Sequence, residues 1–355
     1  MRKTYIDNIR WITVVLVVIY HVIFMFNGIE TSLTIGPFSE HQPQDAYQYI
    51  VYPWFMLLLF VVSGVSSKLY LDSHTTKEFV RSRTVKLLVP STIGLFVFHW
   101  MQGYYGSVMK GGFEWLSTLP GPVKYLFYVV SGQGVLWYIQ LLWLFSMILL
   151  LVRKIEKNRL EAICKKTNII ALLLFTILIY LSAQILNMPI VVVYRFGIYG
   201  LGFLLGYFVF CYEEVMDRLA KWWLPLSVVA VILAVAFTVM YWGENYAGHE
   251  VLDTILCNVY AWIAVLAIFA VMKRYGGFNN NFTRWMNSKS WGLYIFHYFY
   301  ITVSAYYIRK YAPGMPAFAT YMITTVAAFG GAYLTYEIIS RIPIVRWCVL
   351  GIRKK

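Results

Sequence analysis

A histidine and an arginine flank the first long apolar run of this chain. Arg10 precedes the run Trp11–Tyr20, whose one polar member is Thr13, and His21 follows it directly. Eleven residues make about three helical turns, so the two side chains share a helix face, about 16 Å apart along the axis. An ionisable group within lipid is costly and therefore indicates a function. A neutral imidazole there can act as a general base, and a guanidinium can hold an anionic group; the alternative is a structural histidine bonded to a neighbouring helix.

The composition predicts a membrane protein. Hydrophobic residues make up 60% of the 355 residues, charged residues 13%, and the mean hydropathy is +0.64. The net charge of +14 does not indicate a nucleic-acid partner, because the basic residues punctuate apolar runs and are not clustered in one polar domain. The four cysteines have no paired spacing, which predicts free thiols with neither a disulfide framework nor a metal site.

About ten apolar runs are long enough to cross a membrane as helices of about 20 residues. They fall near 9–27, 51–70, 87–103, 136–152, 169–186, 191–211, 223–242, 252–272, 290–308 and 317–339, with a re-entrant or interfacial piece expected around 122–130. If the N-terminus is cytoplasmic, 25 of the 30 lysines and arginines lie inside. The sequence therefore predicts an all-α polytopic protein with both termini cytoplasmic, residue 35 outside and residue 160 inside. We expect residues 1–355 to be one membrane domain with no appended soluble domain.

Further polar residues are candidates for binding or for structural roles. Arg81 and Arg83 lie in a basic cytoplasmic stretch that suits a polyanionic nucleotide, although topology or attraction to anionic lipid would also explain them. Arg195, placed about four residues into a glycine-rich helix, faces a cavity or snorkels to the outer interface. His297 is a second buried imidazole for which structural and functional roles are equally open.

Several common catalytic signatures are missing from the sequence. There is no phosphate-binding Walker loop, no dinucleotide fingerprint, no His-Glu-x-x-His and no Cys-x-x-Cys. A reaction carried out by this chain would therefore use an activated donor or an ion gradient.

The order and spacing of several motifs resemble one family. Tyr5 to Arg10 followed after ten residues by His21 is similar to the signature of the acyltransferase-3 family of integral membrane acyltransferases. The similar stretches that follow span nearly the whole chain: Pro53-Trp54-Phe55, Phe60 to Gly64, Phe79 to Pro90, Leu136-Trp137-Tyr138-Ile139, Ser290 to His297, and Tyr336 to Gly351.

The resemblance implies an acyl-CoA-dependent enzyme. Such enzymes move an acyl group, often acetyl, from cytoplasmic acyl-CoA to a hydroxyl of a glycan or another acceptor, and many modify bacterial cell-surface polysaccharides. By this resemblance His21 is the expected catalytic residue, as base or covalent carrier, with Arg10 as its motif partner. Arg81 and Arg83 are expected to bind coenzyme A phosphates. A separate extracytoplasmic enzyme is a possible partner, and a bacterial cytoplasmic membrane is the expected location.

Four residues are candidates to line a path from the site to an acceptor on the outer side. Aromatic faces suit sugar rings, so Trp137 and Tyr138 are candidates to line it, together with Arg195 and His297. The competing class is a transporter or flippase for a polar or glycan solute, which ten spans and buried ionisable residues also fit. A transporter would favour internal repeats and paired broken helices, and no repeat is visible in this sequence.

Overall fold

The computed structural model describes residues 3–29, 41–110, 114–157, 159–188 and 191–353. Within these ranges the regular structure is helical, and the one β contact is an isolated bridge between Asn187 and Arg195. The predicted all-α class is confirmed. Residue 35, predicted to be outside, falls beyond the described ranges.

The described ranges contain seventeen α-helices. Their bounds are α1 Thr4–Phe26, α2 Ala46–Leu71, α3 Thr76–Arg83, α4 Val89–Gly94, α5 Trp100–Lys110, α6 Gly121–Ser131, α7 Trp137–Glu156, α8 Glu161–Cys164, α9 Ile169–Ala183, α10 Phe196–Phe208, α11 Glu213–Ala220, α12 Trp223–Met240, α13 His249–Leu252, α14 Ile255–Tyr275, α15 Asn281–Tyr311, α16 Ala317–Ile339 and α17 Pro343–Leu350. Two π-helical turns, Thr84–Leu88 and Leu95–His99, join α3, α4 and α5 into one helical run.

Seven helical stretches within the described residues are long and apolar enough to cross a membrane. The number becomes eight if α10 and α11, bent by 105° at their junction, form one broken span. Two of the predicted runs correspond to α9, which has only 15 residues, and to part of α15, which has 31. The chain is a multi-pass membrane protein, and ten crossings with cytoplasmic termini remain a prediction.

The stretch between the third and fourth predicted spans contains α6, an 11-residue helix over Gly121–Ser131. A helix of this length covers about 16 Å, roughly half the apolar thickness of a bilayer. Its backbone packs closely against α5, because a Cβ added at Gly103 would lie 1.9 Å from the Tyr128 carbonyl oxygen. The helix lies where the sequence predicts a re-entrant or interfacial piece.

The chain divides into two compact units. Unit one comprises the described residues of Met1–Thr13, Ala46–Val80 and Leu144–Asn287. Within it, α2 packs against α10, α12 and α14. Glycines allow the closest approach, because a Cβ at Gly64 would lie 2.0 Å from the Phe203 oxygen, and one at Gly206 would lie 2.0 Å from the Val61 oxygen. The glycine spacing of α10 therefore marks a closely packed helix.

Unit two comprises the described residues of Val14–Asp45, Arg81–Trp143 and Ser288–Lys355. Its core joins α1, α5, α15 and α16 through nine buried side chains: Val18, Val22, Met25, Phe26, Met109, Ile301, Ala305, Tyr321 and Ala328. This apolar contact fixes the rotation of α1 and α15 about their axes, and therefore the direction in which their histidines point.

Candidate active site

His21 lies on α1, which continues without a break from Thr4 to Phe26. The predicted helix and the shared face of Arg10 and His21 are thus present. The residues one position to either side, Tyr20 and Val22, are buried, whereas His21 retains partial exposure. A histidine in the second half of an apolar helix that keeps some access is placed to meet a ligand.

The partner of His21 is His297 on α15. The two rings contact each other through His297 Nε2 and His21 Nδ1, which are 3.1 Å apart, and the ring centroids are 5.1 Å apart. His297 is completely buried. Its Nδ1 lies 2.9 Å from the carbonyl oxygens of both Leu293 and Tyr294.

These contacts assign the tautomer of each ring. A carbonyl oxygen only accepts hydrogen bonds, so Nδ1 of His297 carries the proton and its Nε2 has the lone pair. His21 must therefore donate from Nδ1, which leaves the lone pair of His21 on Nε2. The Val17 carbonyl, one turn earlier on α1, also accepts a hydrogen bond from the His21 ring.

A histidine pair of this kind can support general-base catalysis. Nε2 of His21 can accept a proton from a hydroxyl, and the imidazolium that forms is stabilised through its Nδ1–H by neutral His297. The same Nε2 is the atom that would attack a carbonyl carbon in covalent catalysis. The geometry therefore assigns one reactive nitrogen to either route.

Aromatic side chains of unit two surround the pair. Tyr298 meets the His21 ring edge to face with 5.1 Å between centroids, and Tyr20 lies at the same distance. Tyr294, one turn before His297, donates its hydroxyl to the Val135 carbonyl and packs on Tyr138 at 5.6 Å. The predicted path residue Tyr138 is thereby linked to the helix that carries His297, and Trp137 packs beside it at 6.3 Å.

Arg10 lies in unit one and is held by two hydrogen bonds. Its guanidinium donates to Asp7 Oδ1 at 3.0 Å and to Ser66 Oγ at 2.7 Å, and 40% of the side chain remains exposed. Asp7, three residues before Arg10 on the same helix, orients the guanidinium. Arg10 is thus a fixed cation on the helix that carries His21, about three turns away.

Arg81 and Arg83 form the last turn of α3, immediately before the first π-helical turn. Arg81 is exposed and Arg83 is half-buried. The segment after them is anchored by Trp143, whose indole donates to Thr84 Oγ1 at 3.2 Å. Both arginines are therefore presented from an anchored helical run.

Arg195 differs from its sequence prediction. It is the residue before α10, not a residue one turn inside it, because α10 begins at Phe196. Its side chain is 4% exposed and donates to the Leu252 carbonyl and to Asp253 Oδ1, both at 3.1 Å. These contacts tie the start of α10 to the segment before α14, so Arg195 has a structural role in unit one that accounts for its burial.

Sequence reasoning missed the pairing of the two histidines and the roles of Ser66 and Asp253. The depth of His21 and His297 within their apolar runs was a usable signal, since both fall well inside a helix. Which faces of α1 and α15 meet depends on packing between distant segments, and no local spacing encodes that.

The comparisons with known proteins identify one family. The model of this family, described as an acyltransferase domain, matches residues 3–337. Neither the curated proteins nor the solved structures contain a significant match. The matched region includes every residue of the candidate site.

Proposed function

Since the chain belongs to the acyltransferase-3 family, we propose that it moves an acyl group, acetyl in the first instance, from cytoplasmic acyl-CoA to a hydroxyl of a cell-surface glycan. The observation that carries this proposal is the contact between His21 and His297, which leaves a lone pair on Nε2 of the partly exposed ring. The proposed location is a bacterial cytoplasmic membrane, and a separate extracytoplasmic enzyme is a proposed partner.

In the proposed reaction, Nε2 of His21 takes the proton of the acceptor hydroxyl. The oxygen attacks the thioester carbonyl carbon, a C–O bond forms, and the C–S bond breaks with its electron pair on sulfur. The proton on Nε2 then passes to the thiolate, so the products are an ester and coenzyme A, and His21 returns to its starting state. His297 stays neutral throughout and accepts the Nδ1–H hydrogen bond.

The donor site that we propose lies at Arg81 and Arg83. Coenzyme A carries several phosphate charges, and arginine forks bind phosphate through paired hydrogen bonds. Arg10, fixed by Asp7 and Ser66, is a further cation on the helix of His21. The proposed path of the acceptor uses Trp137 and Tyr138, whose rings pack together on the His297 side.

The test of the proposed function is His21→Ala in purified protein reconstituted into vesicles. We expect release of free coenzyme A thiol from acetyl-CoA, in the presence of a surface-glycan extract, to fall to the background rate. His74→Ala is the matched control, because that histidine is exposed in the turn before α3 and contacts Tyr70 and Ser73 only locally. Wild-type release by a folded His21→Ala variant would refute the catalytic role.

A further inference from the structure

Helix α17 ends at Gly351, which has a left-handed backbone conformation and packs against a segment far away in the sequence. Gly351 has φ +63°, and Ile352 N–H returns to the Arg346 carbonyl at 3.2 Å. The Gly351 N–H donates to the Trp347 carbonyl at 3.1 Å, which is an αL-type helix ending in which glycine avoids the strain that a Cβ brings at positive φ. The family match ends at residue 337, so α17 lies beyond the matched region.

The backbone that Gly351 touches belongs to the first π-helical turn. A Cβ at Gly351 would lie 2.2 Å from the Val85 oxygen and 2.7 Å from Lys86 Cα. Contacts below 3.0 Å are essentially never seen for real Cβ atoms, so one of the two segments would have to shift by about 0.8 Å. Val85 is one helical turn after Arg81 and two residues after Arg83.

Two further contacts hold α17 in the same place. The Trp291 indole donates to the Leu350 carbonyl at 3.1 Å, which fixes the end of α17 to α15. A Cβ at Gly94 would lie 3.1 Å from the Cys348 oxygen, so α4 and α17 are also in close backbone contact. The helical run that begins at Arg81 in unit two is therefore braced at two points by one short helix.

The brace contacts the run at its first π-helical turn. In the π-helical turn the Val89 N–H reaches back to the Thr84 carbonyl, five residues earlier. Single π turns inside α-helices are uncommon and occur frequently at functional sites. Gly351 therefore contacts the run at a locally widened turn that directly follows Arg83.

We propose that α17, through Gly351, positions Arg81 and Arg83 for the phosphates of the acyl donor, so that the C-terminal helix sets donor affinity. This inference rests on the proposed donor site. Gly351 is a positioning residue, because it acts through the two arginines and carries no group that contacts a ligand.

The test measures binding of desulfo-coenzyme A, which lacks the reactive sulfur, by calorimetry on the full chain in detergent. Loss of one hydrogen bond to a charged group corresponds to at least about a tenfold change in affinity. We expect Gly351→Ala to weaken binding by about tenfold. Gly314→Ala is the matched control, since a Cβ there meets nothing within 4 Å, and it should bind as wild type does.

A combination with Arg81→Ala/Arg83→Ala separates the inference from the proposed function. We expect the arginine variant to bind weakly and Gly351→Ala to add no further loss in that background. If the arginine variant binds like wild type, the proposed donor site is wrong. If it binds weakly but Gly351→Ala has no effect alone, or adds its full factor in the double variant, the donor site stands and the positioning role is refuted.

A milder variant covers the case in which Gly351→Ala does not fold. Trp291→Phe keeps an aromatic ring but removes the hydrogen bond to the Leu350 carbonyl. We expect about threefold weaker binding of desulfo-coenzyme A, because one neutral hydrogen bond contributes modestly. Unchanged binding by folded Trp291→Phe would overturn the inference in that case.

Discussion

Replacing His297 tests the assignment of the reactive nitrogen most directly. In His297→Leu the acceptor opposite His21 Nδ1, now 3.1 Å away, is removed while the volume stays filled. The imidazolium that forms during proton transfer then loses one charge-assisted hydrogen bond, worth about 1.5–3 kcal/mol. At about 1.4 kcal/mol per factor of ten, kcat should fall by about 10- to 100-fold. The Val17 carbonyl still accepts from the His21 ring, so activity should not vanish.

The assay is coenzyme A release in reconstituted vesicles, with kcat and the KM for acetyl-CoA determined separately. Because His297 acts on the developing charge and not on the donor, KM should stay within about twofold of wild type. Thermal stability should be unchanged or higher, since a buried ring with polar atoms is replaced by an apolar side chain.

His297→Gln should restore most of the activity that His297→Leu loses. Its amide oxygen can accept the Nδ1–H of His21 where the imidazole Nε2 accepted it, and we expect kcat within about threefold of wild type. A purely structural role for His297 would not distinguish the two variants in this way. The reasoning is refuted if folded His297→Leu keeps wild-type kcat, or if the glutamine and leucine variants lose the same activity.

Three further predictions concern packing, topology and donor binding. Gly206→Ala places a Cβ 2.0 Å from the Val61 oxygen and should destabilise the protein by about 1–3 kcal/mol. Gly330→Ala, where a Cβ meets nothing within 4 Å, should be neutral or slightly stabilising. Thermal unfolding in detergent measures both variants, and equal unfolding temperatures would contradict the close packing at Gly206. A single cysteine introduced as Leu160→Cys in a cysteine-free background should react with an impermeant maleimide only in inside-out vesicles, and labelling of intact cells would reverse the topology. Arg81→Ala with Arg83→Ala should raise the KM for acetyl-CoA by about tenfold or more with kcat little changed, and an unchanged KM would exclude this donor site.

The fold could be predicted from apolar run lengths, but not its breaks. The predicted run 191–211 is shortened to α10, Phe196–Phe208, after which the chain bends by 105° into α11. Glu213 and Glu214 at the start of α11 were a signal, since acidic residues favour a helix N-terminus. The two π-helical turns had no comparable signal in the pattern of apolar residues.

The candidate site was likewise predictable only where its contacts lie within one helix. The spacing of Arg10 and His21 on one helix followed from helical geometry alone, as did the contact of Asp7 with Arg10 three residues later. The contact of His21 with His297 joins residues 276 positions apart and depends on the rotation of two helices about their axes. Arg195 was misplaced because the apolar run begins at residue 191, before the true start of α10 at Phe196, so the run length could not reveal where the helix begins.

The histidine pair itself argues for a chemical role. Hydrogen bonds between helices in a membrane contribute about 0.6 kcal/mol on average, and an apolar pair of similar volume would pack at least as well without polar atoms to satisfy. Packing alone therefore gives little reason for two imidazoles at this position. In this pair the buried ring contacts two carbonyl oxygens and the other ring is partly exposed, so one tautomer is fixed and the free lone pair lies on Nε2 of the partly exposed ring. That asymmetry between His297 and His21 suits proton transfer, the role that we propose for the pair.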